Sequence, residues 1–101
     1  MTLTFVSTRK EPFRTSDLRA FQALIKDSLL RSYSDRLDLV QDHFADIRFT
    51  PVERDDAEGR RELLITLTAG TSTSRELMDW IAGTMEEKFL FQGEDVRLLR
   101  K

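Results

Sequence analysis

Three basic side chains lie close together just before the first long apolar stripe of the chain. They are Arg9, Lys10 and Arg14. The helix expected after them begins near Thr15 or Ser16, either of which can cap it. The first turn of a helix has free backbone N–H groups and the positive end of the helix dipole, so it attracts anions. A phosphate or an acidic side chain is therefore the ligand expected here, although the loop has no glycine-rich cradle of the kind that holds a nucleotide.

The other side chains that could do chemistry do not form a catalytic grouping. His43 is the only histidine, and with Asp42 and Asp46 beside it the pattern is a weak indication of a metal or catalytic site. The acidic segment 53–59 lacks the alternating spacing of a calcium-binding loop. The chain has no cysteine, which excludes thiolate zinc ligands and cysteine nucleophiles. We therefore expect a protein without enzymatic activity and without a metal or other cofactor.

The periodicity of the apolar residues predicts the elements that position these side chains. Alternation predicts short strands over 2–6, 46–52, 62–68 and 95–99. Apolar residues three and four positions apart predict a long first helix and a second helix, whose capping box is Thr73 with Glu76. The order is β-α-β-β-α-β. It predicts a single α+β domain over residues 1–101, a two-layer sandwich of ferredoxin-like topology with a four-stranded antiparallel sheet and both helices on one face.

The segment 88–97 allows a second interpretation. Phe89 and Phe91 alternate with Leu90 and can pair with Val96 and Leu98 as a β-hairpin whose turn is 93–95. This pairing would shorten the second helix and add a strand to the sheet.

The first apolar stripe is too long for the sheet. It runs from Leu18 to Phe44, and an unbroken helix over 16–44 would be about 43 Å long at about 1.5 Å per residue. A strand of five or six residues spans only about 20 Å. Either the helix is broken near Ser32–Asp35 and its second half folds back onto the core, or it continues and projects beyond the sheet. An uncovered apolar patch of that kind would invite another protein chain.

The projecting half of this helix is the interface predicted from the sequence. Its residues are Tyr33, Leu37, Val40 and Phe44, with Arg36 as a polar rim. The expected function is that of a small protein-interaction module, acting either as a homo-oligomer or as a subunit or regulator of a larger assembly. The open face of the sheet and the edge strand that contains Pro51 are further interface candidates, because exposed strand edges attract other chains.

Nucleic-acid binding is the second hypothesis. Its candidate side chains are Arg9, Lys10 and Arg14 before the first helix and Arg97, Arg100 and Lys101 in the basic C-terminal strand. The net charge of -2 provides no global positive field for a polyanion. The open face of the predicted sheet also has no aromatic side chain on which a base could stack.

The sequence contains no feature that predicts contact with a membrane. Residues 1–8 lack a basic region followed by an apolar run, and no stretch approaches the eighteen or so apolar residues of a membrane span. We therefore expect a cytoplasmic protein whose partner is another protein.

Overall fold

The described residues of the chain form one sheet and three α-helices. The computed structural model describes residues 2–9, 14–32, 35, 37–55 and 57–100. Its elements are β1 (Leu3–Arg9), α1 (Thr15–Ser32), α2 (Leu37–His43), a 3₁₀ turn (Phe44–Asp46), β2 (Ile47–Asp55), β3 (Arg61–Ala69), α3 (Ser72–Thr84), β4 (Lys88–Phe91) and β5 (Glu94–Arg100). The predicted α+β class is confirmed. None of the described helices has both the length and the apolar composition that crossing a membrane requires.

The sheet has five strands in the order β2-β3-β1-β5-β4, and all neighbouring strands are antiparallel. The prediction of four strands is therefore wrong, and the additional strand is β4. β4 pairs with β5 as a β-hairpin, as in the second interpretation of segment 88–97. Phe89 lies opposite Val96, and Phe91 lies opposite Glu94. As that interpretation requires, α3 is shortened and ends at Thr84.

The hairpin between β4 and β5 turns within two residues. Gln92 has a φ of 52° and Gly93 a φ of 80°. Positive φ at both central residues is the conformation whose twist matches that of the flanking strands. The turn directs Phe89 and Phe91 toward the helices. The Phe91 ring lies 5.5 Å from that of Phe21 in α1, so packing against the core favours a strand at this position over a longer helix.

The long apolar stripe is divided between two helices. α1 ends at Ser32, α2 begins at Leu37, and Asp35 lies in a turn between them. Of the two predicted arrangements, the structure has the broken helix. The 18 residues of α1 span about 27 Å. A strand of nine residues has a similar length of about 30 Å. The break therefore matches the helix length to the sheet, and α2 returns Leu39 and Val40 to the core.

The core lies between the helices and one face of the sheet. Its buried side chains are Leu3, Phe5, Phe21, Ile25, Leu29, Leu39, Val40, Ile47, Leu63, Ile65, Leu67, Leu77, Met78, Ile81, Val96 and Leu98. Burial alternates along β3, where Leu63, Ile65 and Leu67 are buried and the residues between them are more exposed. This alternation assigns one face of each strand to the core. The opposite face points away from the helices, and we call it the open face.

Helices α1 and α3 begin one or two residues earlier than the caps predicted from the sequence imply. Thr15 and Ser16 lie inside α1 and are exposed. At α3 the capping box is formed by Thr71 and Ser74 instead of Thr73 and Glu76: the Ser74 N–H donates to Thr71 Oγ1, and the Thr71 N–H donates to Ser74 Oγ. Ser74 is fully buried, and its hydroxyl accepts from one of the backbone N–H groups that a helix start leaves without a partner within the helix.

Candidate interaction surface

The helical interface predicted from the sequence does not form one exposed surface. Val40 is 0% exposed because α2 folds back, so this side chain belongs to the core and the expectation that it projects from the protein is wrong. Phe44 is partly buried and packs against the core. Leu37 is 44% exposed, and its role at an interface stays a prediction. Tyr33 and Arg36 lie outside the described residues.

The predicted anion site at the start of α1 already contains a carboxylate. The backbone N–H of Arg14 donates to Asp17 Oδ2 at 3.0 Å, and the Arg14 side chain is exposed. A carboxylate in the first turn favours the positive end of the helix dipole, as a bound anion would. Arg9 is the last residue of β1, but its side chain and the whole of Lys10 lie outside the described part of the chain. The anion site predicted from the three basic residues therefore lies outside the described residues, apart from the exposed Arg14.

The basic residues of the C-terminal strand lie on opposite faces of the sheet. Arg100 is on the helical side, where its guanidinium donates hydrogen bonds to the carbonyl oxygens of Ala82 and Met85. Ala82 lies in the last turn of α3 and Met85 directly follows the helix, where carbonyl groups lack partners within the helix. Arg100 is therefore held at the C-terminal end of α3. Arg97 is exposed on the open face, and Lys101 lies outside the described residues.

The open face presents apolar side chains to solvent. Val52 of β2 is 53% exposed, Leu90 of β4 is 70% exposed and Leu99 of β5 is 41% exposed. They are three of the four large apolar side chains that are exposed in the described part of the chain, and the fourth is Leu37. Between the outer strands, Leu64 of β3 is half-buried. The three exposed side chains lie on different strands and in different rows of the register, with Val52 beside Leu64, Leu99 beside Thr4 and Leu90 beside Asp95, so they are separate apolar side chains on one face.

One row of side chains crosses the open face on all five strands. The register places Val52 beside Leu64, Leu64 beside Val6, Val6 beside Arg97 and Arg97 beside Lys88. We call this set the central row. Neighbouring strands are about 4.8 Å apart, so the row is about 19 Å long. It has an apolar half on β2, β3 and β1 and a basic half on β5 and β4.

The basic half of the central row is a pair of like charges. Lys88 and Arg97 are directly opposite each other, and like charges at such positions destabilise a sheet. Within the described residues, neither side chain has a carboxylate within ion-pair distance. By contrast, Arg54 on the same face lies 2.9 Å from Glu62. Lys88 and Arg97 thus have no ion pair within the described part of the chain, although Asp95, two positions from Arg97 on β5, adds one carboxylate to the same face.

A depression on the open face contains this charge pair. Its volume is about 560 Å³, and its lining residues are Val6, Thr8, Arg60, Lys88, Asp95 and Arg97. Arg60 makes an ion pair with Glu58 at 3.2 Å. The lining therefore includes three basic side chains, one carboxylate and an apolar floor formed by Val6, which is only 6% exposed.

The nearest arrangement to a two-carboxylate pocket lies on the helical side of the sheet. Asp17 and Glu94 line a cavity of about 20 Å³, together with Ser7, whose hydroxyl donates to Glu94 Oε2 at 3.4 Å. A cavity of this size holds about one water molecule, which is too little for a substrate.

The single histidine also lies beside one carboxylate. His43 Nδ1 is 3.4 Å from Asp46 Oδ2, and both side chains are partly exposed. In the regions that the structure describes, no three His, Asp or Glu side chains group as metal ligands do. This pair joins the end of α2 to the 3₁₀ turn that leads into β2.

Sequence reasoning named the open face as an interface candidate but missed the basic half of its central row. Lys88 was placed near the end of the second helix, so its position opposite Arg97 did not follow. The alternation of Phe89, Leu90 and Phe91 before Gly93 is the pattern that predicts the correct position, through the hairpin interpretation. Comparison of the chain with family models, with curated proteins and with solved structures finds no match.

Proposed function

We propose that the chain is a non-enzymatic protein-interaction module whose partner binds to the open face of the sheet. The observation that carries this proposal is the exposure of Val52, Leu90 and Leu99 on that face. Removing apolar surface from water is the dominant favourable contribution to most protein association. The half-buried Leu64 continues the apolar surface inward from Val52.

The strand edges are less suitable than the face as a binding site. The outer strand β2 contains Pro51, which has no backbone N–H to donate to an added strand. The other outer strand, β4, has only 4 residues, and one of them is Lys88. Proline, lysine and short length are the devices by which proteins prevent edge-to-edge pairing. The partner is therefore expected to contact side chains rather than the backbone of an edge.

The architecture is proposed to be a ferredoxin-like sandwich with one added strand. Without β4, the strands have the order β2-β3-β1-β5, with the first and third strands central, as predicted for that topology. In this proposal the added strand extends the open face at the side that contains Lys88 and Leu90.

The test compares aspartate variants of similarly exposed leucines on the two sides of the molecule. Leu99→Asp changes the open face, and Leu37→Asp, the matched control, changes α2; the two side chains are 41% and 44% exposed. We expect both variants to keep the wild-type circular-dichroism spectrum, because neither leucine is in the core. The partners that co-purify with the tagged wild-type chain should be lost with Leu99→Asp and retained with Leu37→Asp.

Sedimentation velocity of the same three proteins tests self-association. If the wild-type chain forms a homo-oligomer, Leu99→Asp should dissociate it and Leu37→Asp should not. Equal behaviour of the two variants, or loss of association with Leu37→Asp alone, would contradict the proposal. The second result would favour the helical interface predicted from the sequence.

Nucleic-acid binding stays the alternative, and the observation that favours it is the pair of positive charges at Lys88 and Arg97. It requires an affinity that falls steeply with salt, because phosphate contacts release counterions. A fluorescence titration with single- and double-stranded DNA and RNA at low salt tests it. Absence of binding would remove this alternative.

A further inference from the structure

We infer that the segment of the partner protein that binds to the open face is acidic as well as apolar, and that its carboxylates bind between Lys88 and Arg97. This inference rests on the proposed function and adds the chemistry of the partner. The central row provides the argument, because its two halves require different groups from a ligand.

The basic half requires a negative charge. The register places Lys88 directly opposite Arg97, and the two cations repel each other on the same face of the sheet. A carboxylate between them would convert this repulsion into two charge-assisted contacts, which are stronger than neutral hydrogen bonds. The unfavourable pair in the free protein thus becomes a favourable site in the complex.

The apolar half requires an apolar group at a fixed distance from that charge. Val6 is the neighbour of Arg97 in the central row, followed by Leu64 and Val52. Adjacent positions in the row are about 4.8 Å apart. A segment that crosses the strands therefore meets the charged site first, then the almost buried Val6, and beyond it the accessible apolar surface of Leu64 and Val52. Carboxylates followed by aliphatic side chains complement this order.

A second copy of the chain fits the central row less well. If two open faces met with their basic halves together, the Lys88 and Arg97 side chains of both copies, four cations, would outnumber the two Asp95 carboxylates beside them. If the basic half of one copy met the apolar half of the other, charged groups would lose water without gaining a partner. Both arrangements are unfavourable, so the inference predicts that the wild-type chain alone is monomeric.

A nucleic acid satisfies only the basic half of the row. Its phosphates could bind at Lys88 and Arg97, but its bases would meet Val6 and Leu64 rather than an aromatic stacking surface. The net charge of -2 also provides no long-range attraction for a polyanion. An acidic protein segment is therefore the class of ligand that matches both halves.

The experiment uses the full-length chain and short synthetic peptides that differ in one property at a time. The probe peptide alternates Glu with Val; one control alternates Lys with Val, and another alternates Glu with Ser. A single-stranded oligothymidylate represents nucleic acid. In fluorescence-anisotropy titrations the Glu–Val peptide should bind most tightly and the Lys–Val peptide should not bind.

Charge variants locate the binding site. The double variant Lys88→Gln, Arg97→Gln should bind the Glu–Val peptide about tenfold more weakly, as expected for the loss of two exposed charge contacts. The double variant Arg19→Gln, Arg31→Gln is the matched control, because it removes the same charge from exposed positions of α1. It should bind within about twofold of wild type, which separates local contacts from the overall field.

Thermal unfolding of the free protein provides an independent readout. Lys88→Gln removes the repulsion from Arg97, so the melting temperature should rise by about 1 to 4 °C. The rise should be smaller at high salt, because the charges are exposed and therefore screened. A variant that is more stable yet binds more weakly is the result expected for a binding site, whereas a purely structural lysine would lower the melting temperature when replaced.

The inference is overturned if the wild-type chain does not bind the Glu–Val peptide, or if the Lys88, Arg97 double variant binds it as tightly. Preferential binding of the oligothymidylate would replace the acidic protein segment with a nucleic acid. These failures are separate from failure of the proposed function, which is decided by the Leu99→Asp and Leu37→Asp comparison without any assumption about charge.

Discussion

Substitution of Val40 tests whether the apolar stripe of α2 belongs to the core or forms an interface. Its side chain is 0% exposed, so Val40→Ala removes two fully buried methyl groups. Each is worth about 0.8 kcal/mol, which gives about 1.6 kcal/mol, and the cavity that remains adds about 1 kcal/mol. We expect the free energy of unfolding to fall by about 2 to 3 kcal/mol. For a domain of this size that corresponds to a melting temperature lower by about 10 to 20 °C.

Leu37→Ala is the matched control in the same helix. Leu37 is 44% exposed, so its truncation should cost less than about 1 kcal/mol although it removes a larger group. The assay is urea unfolding followed by circular dichroism, with a common slope for the two variants to show that the same surface is exposed on unfolding. Small and equal losses of unfolding free energy in Val40→Ala and Leu37→Ala, together with a changed sedimentation coefficient of Val40→Ala, would refute the packing of α2 on the core. That result would favour the predicted helix that projects beyond the sheet.

Three further substitutions test how the end of α3 and the last hairpin are stabilised, all by urea unfolding. Arg100→Gln removes donors from the carbonyls of Ala82 and Met85, so stability should fall by about 1 kcal/mol; an unchanged midpoint would show that these hydrogen bonds contribute nothing. Gly93→Ala and Gly83→Ala should have opposite signs. Gly93 has a φ of 80°, where alanine costs about 1 kcal/mol, whereas Gly83 lies in α3 with open space at its Cβ position, where alanine should add about 0.5 kcal/mol. A loss of stability in both Gly93→Ala and Gly83→Ala would contradict the helical position of Gly83 with open space at its Cβ.

The strand faces could be predicted from the sequence because alternation reports burial directly. Leu63, Ile65 and Leu67 were expected on one face, and all three are buried. The additional strand was harder to predict because a short apolar run such as 88–91 is compatible with a helix end as well as with a strand. The decision depends on contacts distant in sequence: the ring of Phe89 lies 6.0 Å from that of Phe5.

The candidate site was less predictable because it depends on register between strands. Arg97 was recognised as a basic residue of the last strand, but its neighbours across the sheet, Val6 and Lys88, follow only when the strand order is known. Arg100 was grouped with Arg97, although three positions along a strand place two side chains on opposite faces. Its contacts with α3 then made it a structural residue. The sequence thus identified the basic residues, and the strand order determined which of them are exposed on the open face.

The strand edges of the sheet are protected against pairing and the open face is exposed, so partner specificity should depend on the side chains of that face. A partner that adds a strand to a sheet edge is held mainly by backbone hydrogen bonds, which tolerate many sequences. Here one edge strand contains Pro51 and the other is only 4 residues long, while Leu90 and Leu99 are exposed on the face. A partner on that face must be selected by its side chains, because the peptide groups of central strands are already paired within the sheet. Substitutions on the open face should therefore change which partner binds, whereas substitutions of the edge strands that preserve their pairing should change stability or aggregation and leave partner choice intact.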